Sequence, residues 1–232
     1  MKRKYLYLFD LNGTLGYVRP HVSHKIRNSR DNLPRADVTK NGYDFYLRPQ
    51  LDMLLNSLFT NTTSDIRVGL WSSQNDKQTE LQSKVFLKHF KVKLLCNSHT
   101  NRESYALKDS QVNSLEPLSV QKNLEYIFKM HPDYDLDNTI LIHSHRNLIS
   151  ELQENELIIP EYSPRNPNCN FDHDLHMAYL ARYLDLLRMY EREKRYEGVR
   201  DCLRKVHYDV FIRPYEHKIG RSSDLNPFGV RQ

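Results

Sequence analysis

Short apolar runs alternate with segments of helical period along most of this chain. Tyr5 to Phe9 is unbroken apolar and aromatic sequence, the pattern of a strand covered on both faces. Asp44 to Leu47 predicts a short strand. Pro49 suits the first position of a helix, and Leu51, Leu54, Leu55 and Leu58 give that helix an apolar face running to Phe59. Ile66 to Trp71 predicts a second buried strand, Thr79 to Phe90 a helix faced by Leu81, Val85 and Phe86, and Val92 to Cys96 a third strand. A helix opens at Ser119, a good N-cap, with Leu124, Ile127 and Phe128 on its apolar side. Thr139 to Ile142 is a fourth buried strand, followed by a short helix over Leu148 to Leu152 and a strand at Leu157 to Ile159. From Asp172 to about Arg195, residues Leu175, Tyr179, Leu180, Tyr183, Leu184 and Leu187 trace a strong amphipathic helix. Strands alternating with helices predict an α/β fold, with a mostly parallel sheet flanked by helices.

Other stretches lack a period. Residues 16–43, rich in Asn, Arg, Pro and Ser, read as a long loop over the carboxyl edge of the sheet, and such loops are usually functional or disordered. Residues 97–117 are polar, with a short strand near Tyr105 to Leu107. Residues 160–170 are a Pro/Asn-rich connection. Residues 196–206 extend or follow the long helix. The tail, His207 to Gln232, carries Tyr208, Phe211, Ile212, Tyr215 and Phe228 but two prolines and no period. It reads as a segment that docks on its own domain or on a partner.

The length of 232 residues allows one large or two small domains. With 39% hydrophobic and 27% charged residues, the composition is that of a globular protein with a polar surface. No apolar run approaches the ~20 residues of a membrane span. Met1-Lys-Arg-Lys and the apolar run after it are too short for a signal peptide, so the expectation is an intracellular protein, nuclear rather than cytoplasmic. The three cysteines, Cys96, Cys169 and Cys202, are widely spaced and form no CxxC pair, which argues against a disulfide framework or a zinc site. Net charge is +5, but residues 1–40 hold nine Lys/Arg against three acids, leaving the remainder near neutral. A basic segment holding Arg19, Lys25, Arg27, Arg30 and Arg35 would draw acidic, phosphorylated or nucleic-acid ligands. A solvated loop is the alternative.

The first strand ends in Asp10-Leu11-Asn12-Gly13-Thr14-Leu15. A buried strand delivering one carboxylate into a glycine turn places an acid at the edge where α/β proteins bind ligands. This turn resembles the first motif of the haloacid dehalogenase superfamily. Further pieces follow in order: Tyr46-Leu-Arg-Pro-Gln-Leu-Asp52, Val68-Gly-Leu-Trp-Ser-Ser73, Gln121-Lys-Asn-Leu124 and Asn138-Thr-Ile-Leu-Ile-His-Ser144, then the stretch from Asn155 to Pro164 and the helix after Asp172. Together they resemble the RNA polymerase II C-terminal-domain phosphatase family, also called NLI-interacting-factor-like, over residues 4–190. Residues 1–190 then form the phosphatase-type domain, with 16–43 as a basic flap, and residues 191–232 a helical, aromatic extension.

The resemblance implies roles. Asp10 is the nucleophile that forms an aspartyl-phosphate, or else an acid that merely caps its turn. Thr14 holds the nucleophile loop. Ser72, with Ser73 as fallback, hydrogen-bonds the phosphoryl group or caps the next helix. The neutralising lysine is Lys122 or Lys108, and Lys122 better matches the family's order of lysine, helix and strand. Asp10 and Asn12 stand at the metal positions, and the cofactor expected is none, or weakly held Mg²⁺. The family's general acid/base is replaced by Asn12, whose amide exchanges no proton. Its fourth-motif acid is replaced by His143-Ser144-His145. Imidazole serves Mg²⁺ poorly. Other members of the superfamily work without an acid at the Asn12 position, so the joint loss is what argues against turnover. His143, His145, His173 and His176 would need to converge to bind Zn²⁺ or Fe, and the alternative is surface and site-rim histidines. The expectation is a pseudophosphatase that binds protein or nucleic acid through its flap and pocket. Its partner would be acidic or phosphorylated protein, with RNA as the alternative, and no membrane. The competing reading is a live Mg²⁺-dependent phosphatase acting on phosphoserine, phosphothreonine or nucleic-acid ends.

Overall fold

The computed structural model describes residues 4–21, 34–60, 66–72, 74, 76–88, 93–97, 105–106, 121–122, 124–144, 153–164 and 169–219. In chain order the elements are β1 (Tyr5–Phe9), β2 (Gly16–Pro20), β3 (Val38–Lys40), β4 (Tyr43–Leu47), α1 (Leu51–Thr60), β5 (Ile66–Ser72), α2 (Asp76–Phe86), β6 (Lys93–Asn97), β7 (Tyr105–Ala106), β8 (Gln121–Lys122), α3 (Leu124–Met130), β9 (Thr139–His143), β10 (Glu156–Ile158), α4 (His176–Arg192), α5 (Val199–Lys205) and α6 (Tyr208–Ile219).

Five strands form one sheet in the order β10-β9-β1-β5-β6, every neighbouring pair parallel. Parallel pairing follows from the crossover helices. Phe9 of β1 lies level with Leu70 of β5 and Ile142 of β9, so the three strands end together. Side chains alternate between the two faces. Tyr7, Phe9, Val68, Leu70, Ile140 and Ile142 share the larger core cluster with α1 and α4. Leu6, Leu8, Trp71 and Leu141 share a second cluster with Leu124 and Ile127 of α3. This is the three-layer, HAD-like Rossmannoid arrangement, with helices on both faces of a buried sheet.

A small antiparallel sheet, in the order β2-β4-β3, interrupts what reads in sequence as one loop over residues 16–43. The β3–β4 hairpin turns on Asn41-Gly42, both at positive φ (51° and 78°), as a two-residue turn of type I′ requires. Gly16 is obligatory on packing grounds. A Cβ there would collide with the Phe86 ring and stand 2.6 Å from the Tyr46 carbonyl oxygen.

Two further expectations change. Lys122 lies in β8, paired with Tyr105 of β7, and the helix starts only at Leu124. The tail without a period is helical from Tyr208 to Ile219 and contains Pro214. Tyr208 and Ile212 are buried in the larger core cluster, together with Val199, Cys202 and Leu203 of α5. The Tyr183 ring on α4 packs edge-on to Tyr208 at 5.3 Å. The expected helix over Leu148 to Leu152 lies outside the described residues. Among the described residues, no helix is long and apolar enough to cross a membrane.

Candidate functional site

β1 has β9 on one side and β5 on the other, so the connections leave it in opposite directions. Crevices at such switch points, outside the carboxyl ends of the strands, are where open α/β sheets bind ligands. Asp10 sits there, only 6% exposed. Its backbone N–H continues the ladder to the Ile142 carbonyl (3.0 Å), and its Oδ1 accepts the Leu11 N–H at 2.8 Å.

The loop after Asp10 is held from several sides. Gly13, at φ 79°, donates its N–H to the Gly16 carbonyl at 2.7 Å, and its carbonyl accepts the Tyr162 N–H at 2.8 Å. Thr14 is wholly buried, and its hydroxyl donates to Ser144 Oγ at 3.4 Å, tying the β1 loop to the tip of β9. Asn12 Oδ1 accepts the Val18 N–H at 2.9 Å, which ties the loop to β2. That amide oxygen is engaged in structure. Ser72, the last residue of β5, is 2% exposed, and its Oγ accepts the Gln74 N–H at 3.1 Å, a turn-capping contact ahead of α2.

Arg48 and Asp174 are central here, and reading the sequence for chemistry passed over both. The Arg48 guanidinium is buried. It donates through Nε and Nη2 to the two carboxylate oxygens of Asp174 (3.1 and 2.9 Å), through Nη1 to the Thr14 carbonyl (3.1 Å) and through Nη2 to the Pro160 carbonyl (2.8 Å). It also lies over the Tyr162 ring, 5.5 Å from its centroid. One planar fork therefore joins the loop after Asp10, the 160s connection and the start of α4. A signal existed: an arginine between a strand and Pro49, and an aspartate just ahead of a long helix.

Of the five basic residues, the structure describes Arg19 and Arg35, which stand in different settings. Arg19 is a β2 residue, its Nε 3.8 Å from Asp44 Oδ2 and its guanidinium over the Tyr46 ring at 5.7 Å. Asp44 also accepts the Thr39 hydroxyl and contacts His21 Nδ1, both at 2.7 Å. Burial opposes ionisation of Asp44, but these partners together hold its carboxyl below the usual range. Arg35 is exposed at the rim of a groove of about 660 Å³ whose lining includes Tyr46, Tyr162 and Phe171, the carboxylates of Asp37, Asp52 and Asp172, and Lys88. Lys25, Arg27, Arg30, Lys108 and His145 lie outside the described residues, as does the Lys122 side chain. His173 is exposed, whereas His176 lies partly buried at the start of α4 and contacts Tyr208.

The tip of β9 carries His143 and Ser144. His143 stands where an acid is expected, completely buried, with Nε2 3.4 Å from Glu156 Oε2. Among the described residues, neither ring nitrogen has a hydrogen-bond partner. Mg²⁺ takes oxygen ligands in near-octahedral geometry. Among the described residues, the side-chain donors on the β1 and β9 tips are the Asp10 carboxylate, an amide oxygen already engaged, two mutually bonded hydroxyls and an imidazole, with the Glu156 carboxylate of β10 3.4 Å behind that imidazole. Among the described residues no three His, Cys, Asp or Glu side chains converge to hold an ion. These described side chains alone do not make up the oxygen set that Mg²⁺ takes.

No curated protein matches the chain. The family model of NLI interacting factor-like phosphatases matches residues 5–200, a span that takes in all five strands of the parallel sheet and the loop that carries Asp10. The chain thus belongs to the NLI interacting factor-like phosphatases, the C-terminal-domain phosphatase family of the haloacid dehalogenase superfamily.

Proposed function

We propose that this CTD-phosphatase-like domain is catalytically impaired and works as a binding module for acidic or phosphorylated protein segments. One observation carries the reading. Among the described residues on the tips of β1 and β9 themselves, Asp10 is the one carboxylate: Asn12 is an amide engaged with the Val18 N–H, and His143 stands where the family resemblance implies an acid. Hydrolysis through an aspartyl-phosphate needs a group that passes a proton to the leaving oxygen and takes one from water. An amide does neither. The groove beside Tyr162, lined by Tyr46, Phe171, Arg35 and Lys88 and also by Asp37, Asp52 and Asp172, supports a ligand that is a chain rather than a small molecule.

Two measurements test this. With Mg²⁺, wild-type protein should hydrolyse p-nitrophenyl phosphate no faster than the Asp10→Asn variant. Hydrolysis that Asp10→Asn abolishes would establish the active-phosphatase reading instead. A phosphorylated acidic peptide should bind at low salt and be released as salt rises, as a charge-driven contact must be. Reversing Lys25, Arg27 and Arg30 to Glu should remove that binding while leaving the melting temperature within a degree or two. Retention of RNA but not of peptide would redirect the assignment to nucleic acid.

A further inference from the structure

The dipeptide Asn-Gly occurs twice in the chain, at Asn12-Gly13 and at Asn41-Gly42. A glycine after asparagine favours one intramolecular reaction, because no Cβ shields the glycine nitrogen. That nitrogen can attack the asparagine Cγ when the two atoms are brought together. The fold treats the two copies differently.

At Asn12-Gly13 both reacting groups are held. Asn12 Oδ1 accepts the Val18 N–H at 2.9 Å, and Gly13 donates its own N–H to the Gly16 carbonyl at 2.7 Å. Gly13 is buried and Asn12 half-buried. Attack there would break both bonds inside a packed loop. Asn41-Gly42 is the reverse case. Both residues are exposed at the tip of the β3–β4 hairpin. Among the described residues, neither the Asn41 side chain nor the Gly42 N–H has a hydrogen-bond partner. Beyond its chain neighbours, no heavy atom of a described residue lies within 4 Å of the place a Gly42 Cβ would take. The tip must open for the side chain to swing over the Gly42 nitrogen. β3 has three residues and lies at the edge of its sheet, so such opening leaves the main core intact.

We propose that Asn41 is a site of spontaneous deamidation, that the fold protects Asn12 from the same reaction, and that the change at Asn41 unfastens the hairpin from β2. The Gly42 nitrogen gives up its proton and bonds to Asn41 Cγ, the Cγ–Nδ2 bond breaks, and ammonia leaves. Water then opens the cyclic imide at one of its two carbonyls. The product is aspartate, or isoaspartate, in which the main chain runs through Cβ and Cγ. One water is consumed and one ammonia released, with no change of oxidation state. Isoaspartate adds a backbone atom to a two-residue turn that sets Lys40 opposite Tyr43. The Gly42 carbonyl, which accepts the His21 N–H at 2.7 Å, is then displaced. His21 loses that anchor, and with it the placement of its Nδ1 at 2.7 Å from Asp44 Oδ1. The inference concerns the small sheet and is independent of the binding-module reading.

The test ages the full chain at mildly alkaline pH and maps its peptides over time by mass spectrometry, with chromatography to separate isoaspartate from aspartate. In folded protein, the peptide holding Asn41 should gain the mass of an amide-to-acid change as both products, while the peptide holding Asn12 stays unchanged. In guanidinium-unfolded protein both peptides should react. Hydrogen exchange at the His21 amide should quicken in step with the isoaspartate fraction. Asn41→Gly keeps a residue suited to the turn and removes the amide, so its His21 exchange should not change with age. An intact Asn41 in aged folded protein would overturn the site. Equal rates at Asn12 and Asn41 in folded protein would overturn the protection. His21 exchange that stays constant as isoaspartate accumulates, or that quickens equally in Asn41→Gly, would overturn the unfastening.

Discussion

Arg48 shows how one side chain sets the geometry of the loop after Asp10. Its charge is out of water, so its stability rests on complete pairing: two bonds to Asp174 and one each to the carbonyls of Thr14 and Pro160. Replacing one partner of such a pair strands the other, at a cost of about 3–5 kcal/mol. Arg48→Ala should therefore lose stability of that order in urea denaturation. Arg48→Met combined with Asp174→Leu should lose much less, since no charge is then stranded. A double variant as unstable as the sum of the two single ones would mean that Arg48 acts through packing and its carbonyl bonds rather than through the ion pair. Proline after Arg48 and the glutamine at 50, which has a positive φ of 62°, set the sharp entry from β4 into α1.

At the scale of elements, the sequence was most legible where burial is complete. β1, β5 and β9 are apolar runs because both faces are covered by helices, and their boundaries emerge from the pattern within about a residue. The small sheet was not legible by periodicity. β2 and β3 are half-exposed and carry Tyr17, Arg19, Thr39 and Lys40, so neither alternation nor an apolar run marks them. One local signal was present: Asn41-Gly42, the pair that a tight hairpin favours. In the site, Asp10, Thr14, Asn12 and His143 could be placed from the motif alone, because strand ends and turns are local. The pairing of Arg48 with Asp174, 126 positions apart, could not, because it is made only when α4 packs across the sheet. The same reason hid α6. Its aromatics look aimless in sequence, but Tyr208 and Ile212 find their partners on α4 and in the main core. The Tyr208 hydroxyl also donates to the His176 carbonyl at 3.3 Å. Tyr208→Ala should thus cost about 3–5 kcal/mol, as truncating a buried aromatic does, and lower the melting temperature by several degrees. An unchanged melting temperature would return this segment to the role of a partner-docking tail.

For the whole molecule, the junction of α4 with α6 and the loop after Asp10 predicts how stability responds to acid. His176 heads α4. Burial is the main reason its imidazole is pushed down to about 4 from 6.5; the Arg48 charge adds to the effect, and Asp174 and Asp209 oppose it. The folded protein therefore holds His176 neutral where the unfolded chain takes up a proton. Between pH 6.5 and about 4 the unfolded state binds more protons, so stability falls as pH falls and levels off once both states are protonated. At about 1.4 kcal/mol per unit, a gap of roughly 2.5 units corresponds to as much as ~3 kcal/mol. Asp44 adds a loss of the same sign at lower pH. Its depressed carboxyl contributes stability above the unfolded carboxylate range, and this is lost as acid protonates the folded form. Urea denaturation of wild type and His176→Gln across pH 7.5 to 4 separates the two. The difference between the curves should open below pH 6.5 and close to a constant near pH 4, with the wild type carrying the steeper slope. Parallel curves through that window would show that His176 titrates alike in both states, and that acid sensitivity lies in the carboxylates of the small sheet.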